Sequence, residues 1–131
     1  MNQVTKTRTA EIFKDENDIV HITLLDGTKM DFMDAVENCL LVRNLSKGGK
    51  VLKFVDARSN WGANKMAKDF ISSKVIIEKT IAYAILVKPS TKKNILNFFD
   101  RIMKSEVPSK MFTDEQTAYN WLMKFSEVKT V

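Results

Sequence analysis

The chain has 131 residues, 44 % apolar and 28 % charged, a balance that excludes low-complexity disorder and suffices for a core without disulfide or metal staples. Its 21 Lys and Arg against 16 Asp and Glu give a net charge of +5. Only Lys92 and Lys93 are adjacent, so a dispersed, solvated basic surface is expected and a nucleic-acid footprint is not.

A single cysteine, Cys39, excludes an internal disulfide. No apolar run reaches membrane-spanning length and no apolar leader follows Met1, so a cytoplasmic protein without a transmembrane segment is expected. One domain over 1–131 is expected, with residues 1–6 a flexible tail. Residues 7–14 alternate, Ala10 and Ile12 on one side and Thr9, Glu11 and Phe13 on the other, which predicts an exposed strand. The polar turn 15–18 and a second strand over 19–25 complete a hairpin. Asp26-Gly27 starts a turn followed by a short extension through Met30. Asp31 is placed to cap a helix over 32–46, ended by Gly48-Gly49. Its apolar arc is Phe32, Ala35, Val36, Cys39, Leu40 and Val42. Leu41 and Leu45 fall largely outside that arc, as contacts for a neighbouring segment or as a self-association surface.

Residues 51–56 read as a strand and 64–73 as a helix with Ala63, Met66, Ala67 and Phe70 on its apolar side. The run 81–87 is almost continuously apolar and fits a strand buried on both faces. A helix over 91–104, a short strand over 110–112 and a closing helix complete the chain. That last helix carries a capping-box pattern at Thr113 and Gln116, with Asp114 and Glu115 where the helix dipole favours negative charge. Ala118, Trp121, Leu122 and Phe125 form its apolar face. Two strands followed by repeated helix–strand alternation predict an α/β sandwich with a mixed sheet of about five strands and four helices.

The segments 51–58, 82–87 and 108–122, in this order of elements, resemble the STAS fold of anti-sigma-factor antagonists. The resemblance is closer to the divergent bacterial STAS-like, or SpoIIAA-like, proteins, and it covers roughly 7–125. It implies a protein-interaction or regulatory module. The antagonists that switch by phosphorylation carry an Asp-Ser-Ser/Thr-Gly segment at a helix start. Here the corresponding stretch is Asp56-Ala57-Arg58-Ser59-Asn60-Trp61-Gly62, so that switch is not carried over.

The same loop is the first candidate site, for an anion or a partner. It follows a strand's carboxyl end, where ligands bind in open α/β sheets, and leads into a helix start with Arg58 at hand. Ser59 is a candidate phosphoacceptor there; the plainer alternative has Ser59 or Asn60 capping the helix, Asp56 satisfying loop amides and Trp61 closing a core edge. The second candidate is the 91–104 helix, whose Ile95, Leu96, Phe98, Phe99, Ile102 and Met103 lie on one wide arc opposite basic residues, with Ile95, Phe98, Phe99, Ile102 and Met103 as the residues that would meet a ligand or membrane. Core packing, an interfacial membrane helix, or a lid over a small hydrophobic or lipid-like ligand all fit that pattern. His21 is the only histidine and reads as a strand-face residue; with no second His and one Cys, no zinc or triad spacing exists. Neither a dinucleotide fingerprint nor a P-loop occurs, since Gly48-Gly49-Lys50 precedes a strand. A non-enzymatic module without catalytic residues, metal or cofactor is expected, acting on itself or on a regulatory protein partner.

Overall fold

In the computed structural model, which describes residues 3–126, the hairpin forms as expected but begins earlier than the alternation suggests. Thr5–Lys6 (β1) already pairs antiparallel with Ala10–Lys14 (β2), which corrects the expected tail over 1–6 at these positions. Met1 and Asn2 lie outside the described residues. Between the two strands Thr7 turns the chain, its hydroxyl oxygen accepting from the amides of Thr9 and Ala10. β2 is not an exposed strand: it is paired on both sides, and Ala10 and Ile12 are fully buried.

Ile19–Leu24 (β3) follows, then the short Lys29–Met30 (β4) and Phe32–Leu45 (α1). Asp31 caps α1 reciprocally with Asp34, each side chain accepting from the other's amide. The face that α1 buries differs from the expected arc. Ala35, Asn38 and Val42 are buried, and Leu41 and Leu45 pack against the core, whereas Leu40 is 53 % exposed. The candidate self-association pair Leu41/Leu45 therefore faces inward. The stripe is hidden in sequence because its centre is polar. Asn38 is held there by the Thr7 hydroxyl, at 2.7 Å to Oδ1, and by its own amide donating to Thr9 Oγ1 at 3.0 Å.

The remaining elements are Val51–Asp56 (β5), Gly62–Ala63 (β6), Lys65–Ile71 (α2), Lys74–Glu78 (α3), Thr80–Leu86 (β7), Lys92–Met103 (α4), Ser109–Phe112 (β8) and Glu115–Met123 (α5). The helix expected over 64–73 ends early, where the Ser72 hydroxyl bonds back to the Lys68 carbonyl, and α3 begins afresh after Ser73. The six-stranded sheet runs β1-β2-β3-β5-β7-β8, antiparallel from β1 to β3 and parallel from β3 to β8. All seven residues of β7 are buried, as its apolar run requires.

Two cores sandwich the sheet. On one face Ile12, Val20, Val55 and Ile85 meet residues of α1, α2 and α4. On the other, Leu52, Ala82, Ala84 and Leu86 meet Ala118 and Leu122 of α5. α5 lies over β5, β7 and β8, so the outer side of β2 and β3 is left beside the helix rather than beneath it. That offset creates the groove described next.

Candidate functional site

The Asp56 loop is tied down rather than poised. Asp56 accepts from the Arg58 amide at 3.1 Å and from its guanidinium at 3.0 and 2.8 Å, and Arg58 reaches Glu115 at 3.4 Å. The Ser59 hydroxyl donates to the Leu24 carbonyl at 2.6 Å, and the Asn60 amide donates to Asp26 at 2.8 Å. Gly62 and Ala63 then pair with Lys29 and Met30 as a two-stranded parallel sheet. No helix starts at Ser59. α2 begins at Lys65, capped by Asn64, so the expected helix-terminal anion site is absent from this loop and Ser59 is occupied with a backbone bond. Trp61 donates its indole N–H to the Ala57 carbonyl at 3.1 Å and packs edge-on against Phe98 with centroids 5.0 Å apart.

That contact joins the loop to the second candidate. In α4, Ile95, Phe99 and Ile102 are buried, and Phe98 and Met103 are partly buried against the same core. Except for Leu96, which is 41 % exposed, the arc that a membrane-surface helix would turn outward is spent on the core. The cavity beneath it, bounded in part by Phe98, Phe99 and Tyr83, measures about 60 Å³, too little for a lipid. A larger apolar cavity of about 300 Å³ opens elsewhere, between α1 and α2–α3.

The site that local sequence patterns do not reveal lies on the α5 side. A groove of about 500 Å³ runs between the outer face of β2, β3 and β5 and the first turns of α5. Its floor is aromatic: the His21 ring stacks on Phe13 at 4.4 Å and on Phe54 at 5.3 Å, with Tyr119 5.9 Å away. Asp15, 7 % exposed, organises one end. Its Oδ2 accepts from the Tyr119 hydroxyl at 2.6 Å and lies 2.8 Å from His21 Nε2, while Oδ1 accepts from the amides of Asn17 and Ile19. An ionised carboxylate only accepts, so His21 carries a proton on Nε2. Burial opposes the charge on Asp15, but the hydrogen bonds from Tyr119, His21 and the two amides outweigh it and hold the carboxyl below the usual range. Burial pushes Tyr119 up to about 12; the Asn17 amide opposes this and the Asp15 carboxylate adds to it. Glu16, Asp56 and Glu115 line the rim.

Asp56 is the one residue of the sequence-derived loop candidate that lines this groove; Ser59, Asn60 and Trp61 face the α4 side instead. Among the described residues no group of three or more His, Cys, Asp and Glu is placed to hold a metal ion. Chemically, the groove offers a stacked aromatic floor, a fixed imidazole and an acidic rim of which Asp56 and Glu115 are met by Arg58.

A mixed sheet with an antiparallel N-terminal hairpin, parallel β3 to β8 and helices on both faces is a SpoIIAA-like fold. The fold is shared with an uncharacterised protein of the DUF3478 family from Shewanella loihica PV-4, described as having a SpoIIAA-like fold. The TM-score is 0.62 at 12 % identity, over 93 % of this chain and 92 % of that one. Residues 13–126 match the model of DUF7793, a domain of unknown function, and the chain belongs to that family. No curated protein matches. Among the described residues no helix is long and apolar enough to cross a membrane.

Proposed function

We propose that the domain is a non-catalytic, regulatory interaction module that receives a basic segment of a protein partner in the α5 groove. The observation that carries this is an aromatic floor rimmed by Glu16 and Glu115, with Asp56 already held by Arg58, on a chain whose net charge is +5. An ammonium or guanidinium laid along the rim gains Coulomb attraction from Glu16 and from Glu115, whose contact with Arg58 is long at 3.4 Å. The free thiol of Cys39 agrees with a reducing, cytoplasmic setting.

Titration of isotope-labelled protein with tetralysine, using tetraglutamate as control, tests the reading. Tetralysine is expected to shift the signals of His21, Tyr119 and Glu115, with binding that weakens as salt is added. Combined Glu16→Gln and Glu115→Gln should weaken binding by roughly fivefold. Silence toward tetralysine, or an equal response to tetraglutamate, removes the proposal.

A second reading, a small hydrophobic ligand, is favoured by the cavity of about 300 Å³ between α1 and α2–α3, away from the 91–104 helix where the sequence suggested it. Ile95, Phe99 and Ile102 pack inward, so of the apolar arc of α4 only Leu96 is left exposed to meet a membrane.

A further inference from the structure

Lys53 lies in the middle of β5, at the centre of the sheet, and is only 6 % exposed. Its Nζ donates to the Tyr83 hydroxyl at 3.1 Å and stands 4.9 Å from the centre of that ring. Among the described residues it makes no ion pair with any carboxylate. An ammonium drawn out of water with a neutral hydroxyl and one ring face is poorly compensated, and buried charges are ordinarily paired.

Two cavities meet at this side chain, the small one under α4 and the larger one between α1 and α2–α3, and among the described residues no Asp or Glu lines either. The larger has apolar walls from Val36, Phe70 and Ile76. Arg43 and Lys79 add positive charge to its lining. At its edge Leu40 and Val75 are 53 % and 68 % exposed, apolar side chains facing water beside an apolar cavity.

We infer that this cavity binds an amphiphilic monoanion, a medium-chain carboxylate, with its head group on Lys53 and its alkyl chain running out between Leu40 and Val75. The inference rests on the ligand-binding reading above and deepens it by assigning the missing counter-ion. It is independent of the groove on the other face of the sheet. The carboxylate supplies the charge the fold omits, and the chain covers the apolar rim.

Calorimetric titration of the full chain with octanoate, 1-octanol and octylamine tests it, with Val75 and Ile76 methyl signals reporting the place of binding. Octanoate is expected to bind at least roughly tenfold more tightly than either other ligand. In Lys53→Met that preference should collapse toward one, and with Tyr83→Phe added, so that no buried hydroxyl is left unpartnered, the ligand-free variant should melt at the same temperature or higher. Val75→Glu, an exposed substitution that spares the core, should weaken octanoate by repulsion at the mouth. Equal affinity for octanoate and 1-octanol overturns the anion assignment and leaves the hydrophobic-ligand reading standing. Failure of all three to bind overturns both. An undiminished preference in Lys53→Met shows that another group holds the anion and overturns the role of Lys53.

Discussion

Asp15 accepts two backbone amides and two side chains, and through them fixes the hairpin turn, the His21 ring and the start of the contact with α5. Removing it in Asp15→Ala leaves a phenol and an imidazole facing a space that no longer accepts, and is expected to cost about 3 kcal/mol in urea melts. Tyr119 supplies a sharper measurement. Its folded pKa, about 12, is raised above the ordinary value near 10. The neutral phenol is therefore the form the fold favours. Its contribution to stability is complete below about pH 10 and is lost as pH rises through 12. Phenolate absorbance of the native protein minus that of Tyr119→Phe should show a midpoint near 12. A midpoint near 10 would contradict the burial of that hydroxyl beside Asp15. Little of this was legible in the sequence. The hairpin placed Asp15 close to His21, but Tyr119 lies 104 residues further on, and only the sheet order brings it there. A single histidine in an alternating strand gave no hint that its ring would become a floor.

At the scale of elements, the strands were legible where the period was clean and the helices where their ends carried chemistry. β5 and β7 matched their apolar runs, and Asp31 caps α1 where its position foretold. Elements made by long-range pairing were not visible. β6 is two residues that become a strand only because β4 lies beside them, and α3 follows a break set by one serine hydroxyl. The closing helix shows how near a pattern can come and still name the wrong residue. The capping box pointed to Thr113 with Gln116, yet the cap is Asp114, whose carboxylate accepts from the Thr117 amide at 2.8 Å and its hydroxyl at 2.6 Å. Thr113 is exposed, one position outside the helix. The two assignments are separable by substitution. Asp114→Ala should lower Tm by roughly 3–6 °C, whereas Thr113→Ala should change it little. The reverse ranking would restore the sequence pattern as the cap.

For the molecule as a whole, the charges that matter to stability are a minority with assigned partners. Asp34 is held down to about 2 chiefly by the Arg8 guanidinium, with its own desolvation opposing. Asp15, Asp69, Asp100 and Asp114 are likewise lowered, Asp69 by Lys65 and Arg101 and Asp100 by Lys68. Each folded value lies below the unfolded carboxylate value near 4, so each contribution is present above that pH and is lost as pH falls through the folded value. Protonation also unmasks the 21 Lys and Arg, whose mutual repulsion grows as the 16 carboxylates neutralise. Urea midpoints are therefore expected to hold level on the neutral side of about pH 4 and to fall steeply below it. Added salt should recover only the part due to repulsion, because screening does not remake a hydrogen bond to a protonated carboxyl. Arg8→Gln separates the two causes further. It returns Asp34 toward its ordinary range and removes the tether between the β1–β2 turn and the start of α1. The variant should be less stable than the natural chain at pH 7, and the gap should narrow as pH falls through 2, where Asp34 is half neutral in the natural chain, leaving only what the Arg8 bond to the Lys29 carbonyl contributes. Curves that stay parallel through that pH would mean that Arg8 acts through the Lys29 carbonyl and packing and that the ion pair contributes nothing.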